Sequence, residues 1–162
     1  IQGPLMALRN VNEITSKTDW VIGHSHISLY GTFTFFAIAG IYQAVPTMCR
    51  REIWSEKLAD WHFALNLWGS LLFLFSLWVG GFLQGLTWAN WANGSSYAEF
   101  HENVVYYPFN QTIIDMRIWW ILRGIGGIII LIGNILFAIN LFNTVMLKPN
   151  LKEELASQER LS

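Results

Sequence analysis

Three long stretches without a charged residue dominate the sequence, from Trp20 to Cys49, from Trp61 to Ala98 and from Gly124 to Leu147. Each is longer than the roughly 20 residues that a helix needs to cross a bilayer. Because the bilayer interior offers no water to the backbone, stretches of this kind form helices. We therefore predict an all-α membrane protein with three transmembrane helices, at about 20–45, 58–88 and 113–147.

Local signals mark the ends of these helices. Asp19 is a suitable N-cap for the first helix. Pro46 and Pro149 are expected to end the first and third helices, because proline cannot continue a helical hydrogen-bond ladder.

The flanking segments predict three parts of the chain. Residues 1–19 resemble the end of an earlier apolar helix, broken at Gly3-Pro4, followed by a connector on the outer side of the membrane. Residues 20–147 hold the three helices, and residues 148–162 form a polar tail. The chain begins with Ile1 and carries no signal-peptide pattern, which favours a piece of a larger protein.

Composition and charge support this membrane assignment and set its orientation. The chain is 53% apolar and only 13% charged, with a net charge of −1, so it has no basic field for nucleic acid. Arg50, Arg51 and Lys57 follow the first helix, whereas residues 89–112 contain no Lys or Arg. The positive-inside rule then places the first connector and the tail in the cytoplasm and the second connector outside. The single cysteine, Cys49, excludes an internal disulfide.

The candidate chemistry centres on His24-Ser25-His26, within the first helix near its outer end. Residues two apart in an α-helix point about 200° from each other, so these imidazoles cannot bind one ion together. They suit two haems side by side, each with one axial histidine, and the small residues Gly23, Ser25 and Ser28 leave space for flat macrocycles. A quinone or proton site and a structural hydrogen-bonded pair are the alternatives.

Arg123 is the second unusual residue, because it lies inside the third helix. A buried guanidinium needs an anion, and a haem propionate is a suitable partner for a bidentate contact. We expect Arg123 at a depth similar to that of His24 and His26. The alternatives are a carboxylate on a helix that is missing from this chain and a side chain that snorkels outward.

Other polar and small residues favour ordinary structural roles. Gly81 and Gly85, and Gly127 with Gly133, are expected to allow close helix packing. His62 is expected at the cytoplasmic interface, with a proton or quinone role as the lesser alternative. His101 is expected to be solvated in the outer loop, where Glu99 and Glu102 leave a weak cation site open.

Several strings carry a family resemblance. These are Val11-Asn12, Thr18 to His26, Gly40-Ile41-Tyr42 with Val45-Pro46, Trp61-His62-Phe63, Gln84 to Trp88 and Arg123 to Gly127. Together they resemble the catalytic subunit (subunit I) of haem-copper oxidases, specifically the cbb-type cytochrome c oxidases, up to about residue 147. The resemblance implies the C-terminal part of a twelve-helix bundle in the bacterial inner membrane.

The resemblance also implies roles for individual residues. His24 matches the proximal, catalytic ligand of a high-spin haem b, and His26 matches one axial ligand of a low-spin haem b. Asp19, Trp20 and Arg123 are then expected at the haem-binding site. The copper ligands of the family have no counterpart in this chain and would come from the rest of the catalytic subunit.

The implied activity is reduction of dioxygen to water with electrons from c-type cytochrome subunits. Nitric oxide reductases share the same plan and are one alternative. A non-catalytic di-haem subunit that only transfers electrons is another.

Two positions depart from the family pattern. Gln2 occupies a position that is commonly Glu, and Thr15-Ser16-Lys17 lacks a commonly present His. Glutamine cannot titrate, so the departure at Gln2 leaves the proton pathway open. The expectation that the chain binds haem does not change.

Overall fold

The computed structural model describes residues 1–98 and 109–147, with side chains for 1–90 and 109–147. All regular elements of these residues are helical. In chain order they are α1 Gln2–Ala7, α2 Arg9–Thr15, α3 Asp19–His26, a π-helical segment Ile27–Thr34, α4 Phe35–Cys49, α5 Glu56–Ala98 and α6 Phe109–Met146.

Three helical stretches are long and apolar enough to cross a membrane: Asp19–Cys49, Glu56–Asn90 and Phe109–Met146. We call them the first, second and third span. The first span contains α3, the π segment and α4 in one continuous helix, while α5 and α6 supply the other two. The predicted all-α architecture with three transmembrane helices is confirmed. Pro149 and the predicted tail lie outside the described residues.

The first span is capped by Thr18, so the prediction that Asp19 is the N-cap is wrong. The Thr18 hydroxyl accepts a hydrogen bond from the Trp20 amide at 3.3 Å and donates one to the Thr15 carbonyl at 2.6 Å. Thr18 has extended backbone angles (φ −96°, ψ 171°), as an N-cap requires. This frees the Asp19 carboxylate, in the first turn, for contacts with other helices.

The first span also continues past Pro46, against our prediction that this proline ends it. Proline costs the helix only the bond from its own nitrogen to the Tyr42 carbonyl, and the helix continues through Thr47, whose hydroxyl donates to the Gln43 carbonyl at 2.8 Å. The helix ends instead at Arg50, whose left-handed backbone (φ 52°) makes the C-cap.

The N-terminal segment forms two short helices instead of one broken at Gly3-Pro4. Pro4 lies in the first turn of α1, where its missing N–H has no partner to lose. The actual break is at Leu8, which is extended (ψ 128°) between α1 and α2.

Close approach of backbones fixes the first span and α2 against α5. A side chain at Gly81 would overlap the Trp20 amide, and one at Gly85 would overlap the Ile14 carbonyl. The predicted packing role of these two glycines is confirmed. On the other side of α5, Gly126 meets the Gly69 carbonyl, whereas a Cβ on Gly127 would meet nothing within 4 Å. The small residues that bring α6 close to α5 are therefore Gly126 and Gly133, since a Cβ on Gly133 would lie 2.5 Å from the Asn66 side chain. The predicted packing role is confirmed for Gly133, whereas Gly127 makes no such approach to the described residues.

Gly81→Ala is expected to push the start of the first span away from α5. A methyl group there meets backbone, which cannot rotate away, so we expect a loss of about 1 to 3 kcal/mol in stability. Gly127→Ala is the matched control, because it adds the same methyl group to open space. Thermal unfolding of the assembled complex should show a lower midpoint for Gly81→Ala only. Equal midpoints for the two variants would contradict the close packing.

Two polar side chains of α6 bind the two residues just before α5, at the end of the spans predicted to be cytoplasmic. The Asn140 amide accepts from the Ser55 amide and donates to the Ser55 carbonyl, at 3.0 and 2.9 Å. The Thr144 hydroxyl accepts from the Trp54 amide at 3.0 Å. Asn140 and Thr144 are fully buried, so these bonds fix the connector between the first and second spans onto the third.

Candidate functional site

His24 lies in the second turn of α3, with its imidazole directed toward α1. Its Nδ1 is 3.1 Å from the side-chain oxygen of Gln2. Because a carbonyl oxygen can only accept, Nδ1 carries the proton and Nε2 keeps the free lone pair. The Trp20 ring, one turn earlier, is nearly parallel to the imidazole, with ring centroids 6.3 Å apart.

His26 is held in the same protonation state by a different acceptor. Its Nδ1 is 2.8 Å from the Ile22 carbonyl of the preceding turn, so Nε2 again keeps the lone pair. Its ring lies 5.2 Å from the Phe73 ring of α5.

The two histidines therefore face different neighbours, α1 for His24 and α5 for His26. Neither Nε2 has a hydrogen-bond partner among the described side chains. A neutral imidazole whose Nδ1–H is bound to an oxygen is the usual form of a metal-ligating histidine. This arrangement can present two nitrogen ligands to two separate metals, and it does not bring them to one.

An apolar groove begins beside this pair. It has a volume of about 530 Å³ and runs between the first span, from Ile27 to Ala39, and α5, from Phe63 to Leu74. No group of three or more His, Cys, Asp or Glu occurs among the residues that the structure describes. The described residues therefore offer ring nitrogens and apolar walls, and no cluster for a bare metal ion.

Asp19 makes polar contacts with both other spans. Its carboxylate accepts from the Trp120 indole N–H at 3.0 Å and lies 3.5 Å from the Arg123 guanidinium. Its backbone amide donates to the Gln84 side chain at 2.9 Å. The guanidinium therefore lies beside the first residue of the first span, while its depth relative to the two histidines stays a prediction. The long arginine side chain reaches outward to the nearest carboxylate.

His62 is buried between the helices, while its depth at the cytoplasmic interface stays a prediction. It is 1% exposed, and its Nδ1 is 3.1 Å from the Tyr42 hydroxyl. Its ring stacks on Phe137 of α6, with centroids 4.7 Å apart. The sequence carried a signal for this burial, since His62, Asn66 and Ser70 recur every four residues and share one face of α5. His101, Glu99 and Glu102 lie outside the described residues.

Three apolar spans, the first of which carries a pair of histidines, define a multi-span membrane protein. Residues 1–129 match the family described as Cytochrome C and Quinol oxidase polypeptide I. The chain belongs to this family.

Curated relatives agree with this assignment. The chain is 33% identical over 145 residues to a cytochrome c oxidase subunit 1 homolog of Azorhizobium caulinodans and 36% identical over 145 residues to a bacteroid homolog of Bradyrhizobium diazoefficiens. Each of these alignments covers 89% of this chain and 25% of the relative. It is also 32% identical over 158 residues to the cbb3-type cytochrome c oxidase subunit CcoN1 of Stutzerimonas stutzeri, covering 97% of this chain and 32% of that subunit. The chain thus spans about a quarter to a third of the length of these relatives.

Proposed function

We propose that this chain is part of the catalytic subunit of a cbb-type haem-copper terminal oxidase in a bacterial inner membrane. His24 would be the proximal ligand of the high-spin haem b, and His26 an axial ligand of the low-spin haem b. The observation that carries the proposal is that both imidazoles have Nδ1 bound to an oxygen acceptor and Nε2 free. Relatives named as cbb3-type and other cytochrome c oxidase subunits support it.

The residues present fit two haems better than one metal ion. The histidines have different neighbours: His24 lies beside Gln2 and Trp20, and His26 lies beside Phe73. When bound, the haems and a copper ion held by the rest of the catalytic subunit would supply electron transfer and the reduction of dioxygen to water. The contribution of this chain is to fix the two imidazoles on one rigid helix, which sets the distance between the two ligands. Electrons would come from c-type cytochrome subunits.

Gln2 is proposed to set the electron-donating strength of His24. A hydrogen bond to Nδ1–H makes the imidazole a stronger donor, and a carboxylate does so more than an amide. A stronger donor stabilises the oxidised metal, so Gln2 should keep the potential of the high-spin haem above that of an otherwise equal protein with Glu at this position.

Gln2→Glu is therefore expected to lower the midpoint potential of the high-spin haem, and Gln2→Leu to raise it. Each 1.4 kcal/mol of differential stabilisation corresponds to about 59 mV for a one-electron couple. Redox titration followed by optical spectra checks both variants, with the low-spin haem as the internal control. Two shifts of the same sign would exclude this role for Gln2.

Arg123, with Asp19 and Trp20, is proposed to form the outer edge of the haem site. The guanidinium has five N–H donors, and Asp19 approaches it only at 3.5 Å, so donors remain for a propionate. Trp20 shields one face of the site through its stacking near His24.

Arg123→Leu is expected to lower a haem potential by tens of millivolts without loss of iron. Removing a positive charge near a haem disfavours the reduced form, and the unpaired Asp19 adds to this effect. Arg117→Leu, at an exposed position earlier in the same helix, removes an equal charge farther from Asp19 and is the control. Equal shifts in the two variants would argue against the propionate contact.

Metal analysis of the purified native complex, paired with a reduced-plus-carbon monoxide difference spectrum, tests the proposed function. Copper together with a carbon monoxide-binding haem is the expected result. Non-haem iron with such a haem would instead indicate nitric oxide reduction. Haem without an open coordination position and without a second metal would indicate an electron-transfer subunit and overturn the proposal.

A further inference from the structure

The helical turn that carries the two histidines has one face packed against α5. Gly23, directly before His24, is buried, whereas Ser25 is exposed. These two residues are two positions apart, so they lie about 200° from each other around the helix. The turn therefore rests on α5 through Gly23, and its opposite face, between the two imidazoles, is directed away from α5.

The surface of α5 beneath Gly23 is formed by Trp78 and Leu77. A Cβ on Gly23 would lie 2.8 Å from Cδ1 and 2.9 Å from Nε1 of Trp78, and 3.1 Å from the Cβ of Leu77. These distances are shorter than the roughly 3.5 to 4.0 Å at which non-bonded carbon atoms pack. A side chain at position 23 would therefore push the histidine turn away from α5 or displace the indole.

Neither neighbour of Gly23 has room to move aside. The Cβ of Leu77 is attached directly to the α5 backbone, and Leu77 is 1% exposed. The indole of Trp78 is a rigid ring on two rotatable bonds, and its Nε1 is buried. The contact therefore acts as a fixed wall for the turn.

Trp78 acts in this contact by its shape. Its Nε1 has no hydrogen-bond partner among the residues that the structure describes, although a buried indole N–H usually finds one. Replacing the indole with a smaller apolar side chain would thus break no hydrogen bond of the described residues. Any effect on the histidines would come from the lost contact surface.

The same face of α5 also contacts the first span on either side of Gly23. Phe73 and Gly81 lie about two turns apart on α5. The Phe73 ring is 5.2 Å from the His26 ring, and a side chain at Gly81 would overlap the Trp20 amide. Because α3 is one helix with contacts at three levels, a displacement at Gly23 would move both imidazoles together.

We propose that Trp78 is a positioning residue for the di-haem site. Its indole edge against Gly23 sets the rotation of the turn that carries His24 and His26, and the distance of that turn from α5. The inference rests on the proposed function, since it concerns the directions of two haem ligands. Reacting groups displaced by about 1 Å can lose about a hundredfold in rate, so this contact matters for activity as well as for folding.

Gly23→Ala tests the contact in the purified native complex. The added methyl group should displace the turn, and the g values of a low-spin ferric haem report the orientation of its axial imidazoles. We expect the largest g value in the electron paramagnetic resonance spectrum to shift and oxygen-reducing turnover to fall roughly ten- to a hundredfold. Both haems should remain, because neither imidazole is removed. A merely structural role would lower the thermal stability and leave the spectrum of the assembled complex unchanged.

Trp78→Leu supplies the second arm of the experiment. In the Gly23→Ala background it removes the ring atoms that the new methyl group would meet, so the g values and turnover should return toward those of the unmodified complex. Alone, Trp78→Leu should broaden the low-spin signal, because the turn then lacks a fixed wall and takes several positions. Since a smaller side chain introduces no clash, this single variant keeps the proposal testable if Gly23→Ala does not assemble.

Gly40→Ala is the matched control, because it adds the same methyl group to the same span where no described atom lies within 4 Å. Its spectrum and turnover should equal those of the unmodified complex. An unchanged low-spin signal in assembled Gly23→Ala, no recovery in the double variant, or an unbroadened signal in Trp78→Leu would overturn the proposal. Absence of a low-spin haem signal from the unmodified complex would instead contradict the proposed function, so the two failures are distinguishable.

Discussion

His24→Ala should abolish the carbon monoxide-binding haem of the native complex while most of the low-spin haem spectrum remains. Alanine removes the nitrogen ligand and leaves Gln2 without its hydrogen-bond partner, whereas His26 keeps its bond to the Ile22 carbonyl. Oxygen-reducing turnover should fall by more than about a hundredfold, since losing a ligand costs more than the 10- to 100-fold typical of its hydrogen-bonding partners.

Ser25→Ala is the matched control for this experiment. It lies between the two histidines, is exposed, and loses only a bond to the Val21 carbonyl. Added imidazole should partly restore the carbon monoxide signal of His24→Ala, because the small ligand can enter the space left by the side chain. An intact carbon monoxide signal in His24→Ala would remove this histidine from the proposed site.

His26→Ala should have the opposite spectral effect. The low-spin absorbance should be lost, and the carbon monoxide-binding haem should remain, because His24 and its contact with Gln2 lie on the other side of α3. Turnover should again fall by more than about a hundredfold, since electrons would lack their relay to the oxygen-binding haem.

The two histidine variants together test the assignment of each residue to its haem. A reversed pattern, with carbon monoxide binding lost only in His26→Ala, would exchange the two roles and keep the di-haem proposal. Retention of both haems in both variants would end it. Low-temperature spectra and haem extraction from the same samples separate loss of a ligand from loss of the cofactor.

Much of the fold follows from the sequence because the bilayer leaves few options. Charge-free stretches of this length must form helices, and the three predicted spans differ from the observed ones mainly at their ends. The cap at Thr18 and the passage of the helix through Pro46 depend on local hydrogen bonds, which the hydrophobic pattern does not encode.

The different directions of His24 and His26 were predictable from the sequence, whereas the surroundings of the candidate site were less so. The spacing of His24 and His26 is a local property, so their opposite directions followed from helix geometry. The contacts from Arg123 to Asp19 and from Trp120 to Asp19 join residues about a hundred positions apart. Such contacts depend on how the spans pack, and the burial of His62 against Phe137 depends on the same packing.

The π-helical segment at Ile27–Thr34 separates the two halves of the first span. In a π-helix a carbonyl accepts a hydrogen bond from a group five residues later in the chain. The Thr34 hydroxyl shows the same spacing, since it donates to the Leu29 carbonyl at 3.2 Å. A wider turn changes the angle at which all later residues leave the helix axis. The half that carries His24 and His26 and the half that carries Tyr42 are thus set to different rotations. Insertion or deletion of one residue within this segment would change the width of its turn. The residues on one side of the segment would then rotate about the helix axis, while those on the other side would keep their contacts.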